Sequence, residues 1–242
     1  MVRIFIEAEL AVGIAVDLPT DKAHHVRNVL RLEPGSKVTL FNQDGESYES
    51  SLTNVSRSVV SALPSRRVLS NAESPVITTL VQGISRGDRM DYTLQKAVEL
   101  GVNHIIPVYT ARSAGRLDKK RKIRKLEHWK RVVQHAAEQS GRNMVPKIDP
   151  IQELKENVMA LVGLNAYVLN PLSKTPLSKQ KPNDNKIAII AGPEGGFDGN
   201  EIHQLSLRYG AVSVSLGPRT LRTETAAVCA LSVIQALWGD LG

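Results

Sequence analysis

A single cysteine, Cys229, in 242 residues excludes an internal disulfide and any cysteine-rich zinc site. It lies in the apolar stretch Thr225–Ile234 and is expected to be a buried core thiol. The six histidines stand at no ligand spacing to cysteine or carboxylate partners, so no metal is expected. No apolar run approaches the roughly 18–20 residues that a membrane span needs, and no membrane partner is expected. Met1 leads directly into Val2-Arg3-Ile4-Phe5-Ile6, a strand-like run without the basic, apolar and cleavage regions of a secretory leader, so the expected location is cytoplasmic. Two glycine signatures are also missing. Without G-x-G-x-x-G or G-x-x-x-x-G-K-[ST], neither a dinucleotide site nor a phosphate loop is expected.

Acidic charge is in deficit, with 24 Asp and Glu against 31 Lys and Arg and a net charge of +7. That excess suits a nucleic-acid binder. It is also local: between Arg112 and Arg131 ten Lys and Arg face only Asp118 and Glu127. With 42% apolar and 23% charged residues the chain as a whole has the composition of a soluble globular protein.

The first seventy residues read as β-rich, with strands over Val2–Ile6, Lys37–Phe41, Tyr48–Val55 and Ser58–Leu69, a hairpin signal at Asp44-Gly45 and one helical stretch from Lys22 to Leu30. Short strands at this spacing suggest a small barrel, ending near the polar segment Asn71–Pro75. The expected domains are therefore 1–71 and 72–242. Beyond the boundary strand and helix alternate, which argues for a mostly parallel α/β sheet. Strands are expected at Val76–Gln82, Ile105–Tyr109, Ala166–Leu169, Ile187–Ala191 and Ser213–Leu216. Helices are expected at Arg89–Leu100, Lys119–Glu138, Gly199–Tyr209 and Thr223–Trp238.

In the basic helix Ile123, Leu126, Trp129, Val133 and Ala137 form an apolar stripe, which leaves Arg121, Lys122, Arg124, Lys125 and Arg131 largely off it. That cationic face is either a nucleic-acid contact or simply solvated. Two loops then carry the candidate chemistry. Gly192-Pro-Glu-Gly-Gly196 follows an apolar strand, where an open α/β sheet binds its ligands, although a glycine-rich turn can also be a plain connection. Leu216-Gly-Pro-Arg-Thr-Leu-Arg-Thr-Glu-Thr-Ala226 leaves another apolar strand and enters a helix, with Thr223 as the expected N-cap and Arg219, Arg222 and Glu224 gathered at its entrance. The two loops converge on one crevice if their strands are neighbours.

Five segments carry a family resemblance: His24-His-Val-Arg-Asn-Val-Leu-Arg31, Gln95-Lys-Ala-Val-Glu-Leu-Gly101, Ala137-Glu-Gln-Ser-Gly-Arg142, Gly192-Pro-Glu-Gly-Gly-Phe197 and Leu216–Ala226. In these and in their order the chain resembles, from end to end, the 16S rRNA (uracil-1498-N3)-methyltransferases, the RsmE family. Thr220 departs from the pattern, where an aliphatic residue is expected before Leu-Arg. The resemblance implies a PUA-like β-barrel for RNA followed by a SPOUT domain with a deep trefoil knot, and a homodimer acting on 16S ribosomal RNA of the 30S subunit. It implies S-adenosylmethionine as cofactor, with Leu169, Gly192, Glu194, Gly195, Gly196, Leu216, Gly217, Leu221 and Arg222 around it.

Uridine N3 holds a proton in the neutral base, so methylation requires that proton to leave and negative charge to spread over N3, O2 and O4. A guanidinium near those oxygens would stabilise the charge and a carboxylate could take the proton. Arg222 and Glu224 are the candidates. Arg3, Arg27, Arg31, Arg112, Arg116, Arg121, Lys122, Arg124 and Lys125 are the expected RNA contacts. Two other readings stand beside this one. The first is ribose 2′-O-methylation by a related SPOUT enzyme, against which the Leu-Arg-Thr-Glu-Thr-Ala sequence argues. The second is a non-catalytic ribosome-assembly protein, which would have no use for the two loops.

Overall fold

Alternating apolar positions near the amino terminus pair five short strands into one sheet in the computed structural model, which describes residues 1–69, 72–113, 115–156 and 158–242. The elements are β1 (Val2–Phe5), β2 (Val16–Asp17), α1 (Thr20–His24), β3 (Lys37–Phe41), β4 (Ser47–Val55) and β5 (Val60–Val68), and the strand order is β1-β3-β4-β5-β2. β1 runs parallel to β3, and the other pairs are antiparallel. Among the described residues the pairings form an open path ending at β1 and β2. Register shifts at Glu49/Ser50 and Leu52/Asn54 mark bulges, which bend and twist a strand. One face encloses Ile4, Val38, Leu40, Leu52, Val60 and Ala62. The helix expected over Lys22–Leu30 is split into α1 and a π-helical turn, His25–Val29, after which Arg31 takes a left-handed φ of 52°.

The chain divides into two compact units, residues 1–73 with 137–145, and residues 74–136 with 146–242. The boundary expected at Asn71 falls on a residue outside the described ones. Segment 137–145, placed in the second domain by the sequence reading, groups with the first unit through polar contacts that no local pattern encodes. Glu138 Oε1 accepts from Lys22 Nζ at 2.6 Å and from the Phe5 amide at 3.1 Å. Glu73 accepts from the Arg142 guanidinium at 2.6 Å and from the amides of Asn143 and Met144. The resemblance segment Ala137–Arg142 is thus part of the first unit's framework.

The second unit is a parallel seven-stranded sheet built from β6 (Ile77–Gly83), β7 (His104–Tyr109), β8 (Lys147–Ile148), β9 (Gln152–Glu153), β10 (Asn165–Leu169), β11 (Lys186–Ala191) and β12 (Val212–Val214). Its order is β12-β10-β11-β6-β7-β8, with β9 also paired to β7. Helices α2 (Asp88–Glu99), α3 (Lys119–Ser140), α4 (Gly199–Tyr209) and α5 (Thr223–Trp238) complete it. Val81, Ile106, Val168, Ala188 and Ile190 form one packed layer with Leu205 of α4. The near-continuous apolar runs of β7 and β11 are what a sheet covered on both faces requires.

On α3, Trp129, Val133 and Ala137 are buried as expected, but Ile123 is 55% exposed. The helix instead turns Lys122 inward, its ammonium 5.0 Å above the Tyr109 ring. Cys229 is only partly buried. Among the described residues no helix is long and apolar enough to cross a membrane, and no group of three His, Cys, Asp or Glu could hold a metal ion.

Candidate active site

Because every pair in the second sheet is parallel, the loops that leave β6, β10, β11 and β12 emerge at one edge, the edge at which such sheets bind ligands. The strands that launch the two glycine-rich loops are not neighbours, since β10 lies between β11 and β12. The loops converge nonetheless, and the segment after β10, Asn170–Leu172, becomes a third wall. Together they enclose a pocket of about 600 Å³. Leu169, Gly192, Glu194, Gly195, Gly196, Leu216, Gly217, Leu221, Arg222 and Glu224 all line it, and so do Arg112 and Arg219.

Close backbone approach builds the pocket floor. A Cβ on Gly83, the last residue of β6, would lie 2.4 Å from Pro193 Cδ and 2.5 Å from Pro193 N, so only glycine lets the loop after β11 cross the end of β6. Gly196 then turns the loop at a φ of 67°, in the left-handed region. The loop passes into α4 through a capping box: Asp198 accepts from the Glu201 amide at 2.7 Å, and Glu201 accepts from the Asp198 amide at 2.9 Å.

At the entrance of α5 the expectation needs a correction. Thr223 does not cap the helix; the N-cap is Arg222, which makes no capping bond through its side chain. The Thr223 hydroxyl instead donates to the Gly192 carbonyl oxygen at 2.5 Å. Arg222, just before it, is exposed toward the pocket, and Glu224, just after it, has a buried Oε2 without a hydrogen-bond partner among the described residues.

Glu194 is committed within the protein. Its Oε1 accepts from the Arg86 amide at 3.0 Å and from Arg89 Nη1 at 2.7 Å. Burial pushes this carboxyl up, but the Arg86 amide, its own amide and the Arg89 guanidinium outweigh burial and hold it below the usual carboxylate range. Arg112 Nη1 donates to the Gly195 carbonyl at 3.1 Å, and a Cβ on Gly195 would meet Arg112 Cβ at 2.9 Å. Sequence reasoning missed Arg89, Gln82 and the Asn170–Leu172 wall. Gln82 and Asn170–Leu172 carry only the signal of lying at the end of, or just after, a buried strand, and Arg89 only that of standing in the first turn of α2.

The family model for the RNA methyltransferase domain matches residues 72–235, and that for the RNA methyltransferase PUA domain matches residues 18–60. Ribosomal RNA small subunit methyltransferase E of Bacillus subtilis is 32% identical, over 97% of this chain and 96% of its own length. The chain belongs to the ribosomal RNA small subunit methyltransferase E family. The crystal structure of that enzyme from Neisseria gonorrhoeae, bound to S-adenosyl methionine, superposes with a TM-score of 0.91 at 37% identity and covers 100% of both chains. A putative methyltransferase from Legionella pneumophila, in complex with bound S-adenosylmethionine, gives 0.88 at 38% identity over 99% of both chains.

In this member of the methyltransferase E family the expected RNA contacts differ widely in freedom. Arg3 is half-buried, with Nη2 donating to the Arg142 carbonyl at 3.0 Å and to Asn143 Oδ1, and its guanidinium lies 5.0 Å from the Phe41 ring centre. Burial lowers its pKa. It reads as framework. Arg27 donates to the carbonyls of Ser56 and Arg57. Arg116 grips Glu153 through two bonds of 2.8 Å, and that grip holds the Glu153 carboxyl low against the opposing effect of burial. Arg31 and Arg124 are exposed, and Arg121 is paired with Asp118 at the helix start. Lys125 extends over the Trp129 ring at 5.6 Å.

Proposed function

We propose that this protein methylates N3 of one uridine in 16S ribosomal RNA, using S-adenosylmethionine. The observation that carries this reading is the meeting of both glycine-rich loops with Arg222 and Glu224 around one pocket of about 600 Å³, within the range of about 300–1,000 Å³ usual for small-molecule sites. The residues present fit the cofactor. Leu169, Leu216 and Leu221 offer apolar surface for a flat base, the loops Gly192–Gly196 and Leu216–Gly217 offer backbone polar groups, and Glu224, which lines the same pocket, offers a carboxylate that can take a proton.

Bound there, S-adenosylmethionine supplies an activated methyl group, so the protein's main tasks are alignment and control of the uridine N3 proton. Glu224 accepts that proton. Arg222 donates to the uracil oxygen on which the resulting charge accumulates. Since N3 lies on the Watson–Crick edge, the target must be unpaired or flipped out of its stack. Ribosomal RNA in a folded context satisfies that requirement better than a simple duplex. Residues 1–71, joined by segment 137–145, act as the PUA-like RNA-binding domain and the rest of 72–242 as a SPOUT domain with its trefoil knot, a reading supported by the resemblance.

Nucleoside mass spectrometry of 16S ribosomal RNA from a strain lacking the gene tests the reaction. Loss of 3-methyluridine is expected, and its persistence would sink the proposal.

The active form is a homodimer. Leu172 lines the pocket and is 87% exposed, and Leu237 and Leu241 at the end of the chain are 48% and 58% exposed, surface that a second copy would cover. Light scattering should give the mass of a dimer. A stable monomer that still methylates would exclude this.

Reversing charge at Arg121, Arg124 and Lys125 together, with Lys122 left in place over the Tyr109 ring, should weaken RNA binding and flatten its salt dependence while leaving cofactor affinity unchanged. The slope of log affinity against log salt should become shallower by roughly 0.7–0.9 for every phosphate that is no longer neutralised. An unchanged slope would make α3 a solvated face only.

A further inference from the structure

The pocket's two loops are joined by one largely buried hydroxyl, that of Thr223, which also lines the pocket wall. We infer that Thr223 is a positioning residue, whose side chain sets the distance between the cofactor loop and the helix turn bearing Arg222 and Glu224. This inference rests on the function proposed above and assigns Thr223 no contact with substrate.

Its hydrogen-bonding capacity is spent inside the protein. Thr223 is only 7% exposed and Gln82 is fully buried. Gln82 Nε2 donates to the Gly83 carbonyl at 2.9 Å and to Thr223 Oγ1 at 3.2 Å. A carbonyl can only accept, so the bond to Gly83 fixes which end of the Gln82 amide faces Thr223. Thr223 Oγ1 must then accept from Gln82, and its single proton goes to the Gly192 carbonyl at 2.5 Å. Ser85 Oγ stands 3.4 Å from the same oxygen. The chain β6–Gln82–Thr223–Gly192 therefore ties the end of one strand, the first turn of α5 and the start of the loop after β11 into one polar cluster.

Arg222 and Glu224 flank Thr223 in sequence, so any shift of that turn moves both relative to the loop. The far side of the loop has its own anchor, the Glu194 carboxylate held by Arg89 and the Arg86 amide. Loss of the Thr223 hydroxyl should accordingly leave the loop able to bind cofactor while misaligning the two reacting partners. Misplacement on the order of 1 Å can cost about 10²-fold in rate.

The test compares T223V, which keeps the shape and removes the hydroxyl, with T223S, which keeps the hydroxyl. Single-turnover methyl transfer to small-subunit ribosomal RNA at saturating cofactor and RNA should fall by at least about tenfold in T223V and stay within about threefold of wild type in T223S. Calorimetric S-adenosylmethionine affinity should change by less than about threefold in both, a smaller change than the rate loss. Without cofactor, amide hydrogen exchange over residues 192–197 should quicken in T223V and not in T223S. A wild-type rate and wild-type exchange in T223V would overturn the inference. So would rate and cofactor affinity falling by the same factor, the mark of a merely structural residue. Should T223V fail to fold, T223S still decides, because a rate more than about tenfold below wild type contradicts a role for the hydroxyl alone. If the wild-type protein methylates no ribosomal RNA, the proposed function fails, and the exchange comparison still reports on the Gln82–Thr223–Gly192 cluster.

Discussion

Replacing Arg222 with Lys is expected to lower methyl-transfer turnover by about 10²–10³-fold, the loss typical of removing a preorganised donor from a developing oxyanion. The substitution isolates geometry from charge. Lysine keeps one positive charge but not the planar fork that can aim two hydrogen bonds at neighbouring acceptors. Arg222 is the N-cap of α5 and makes no capping bond through its side chain, so the helix loses no side-chain cap in the variant. It also lies outside the Gln82–Thr223–Gly192 cluster, so the pocket floor stays intact. Cofactor affinity should therefore change by less than about tenfold, roughly 1.4 kcal/mol. Single-turnover rates at saturating cofactor and RNA read the effect, since loss of ground-state binding alone would appear in the Michaelis constant. A near-normal rate would make Arg222 structural, and Arg219, which lines the same pocket, would be the next residue to test.

Long periodic elements were legible in the sequence because their signals are local. The bounds of α4 and α5 match the expected Gly199–Tyr209 and Thr223–Trp238, and the end of α4 is set by Gly210 in the left-handed conformation. The two-residue strands β2, β8 and β9 were not legible, because two residues carry no period and exist only through their ladders. Ile123 fits the apolar stripe of α3 as well as Leu126 does. Only the position of Tyr109 under the first turns shows that Lys122 occupies the inner face there.

The pocket residues were legible for a different reason. Strand-end loops rich in glycine and ending at a helix entrance are written contiguously, so Gly192–Gly196 and Leu216–Ala226 could be read as units. What joins them could not. Gln82 and Thr223 are 141 residues apart in sequence and meet through a single hydrogen bond. Thr223 looked like an N-cap because threonine before a helix usually caps it, and tertiary competition for its hydroxyl won instead. Arg3 shows the same limit on the RNA side. An arginine near the start of a basic chain reads as a phosphate contact until Asn143, 140 positions away, is seen to hold it.

Segment 137–145 is held by long-range polar contacts, and removing one of them has a large expected effect. Glu138→Ala should destabilise the first unit by about 3–5 kcal/mol, the usual cost of breaking a buried ion pair from one side. The Lys22 and Glu138 side chains are 9% and 14% exposed, and their charges are 2.6 Å apart, so screening by solvent is slight. Glu138 Oε1 also accepts from the Phe5 amide of β1, and alanine would deprive that amide of its carboxylate as well. Urea unfolding should show a lower midpoint at unchanged slope. Glu138→Gln should fall between wild type and Glu138→Ala, because it keeps an acceptor while losing the charge. The double variant Lys22→Met with Glu138→Leu should recover only part of the loss, since a buried pair replaced by apolar side chains of similar size is often neutral but the Phe5 amide still lacks its acceptor. If Glu138→Ala unfolds within about 1 kcal/mol of wild type, a cost closer to that of an exposed pair, then this ion pair is not what binds the end of α3 to β1 and α1.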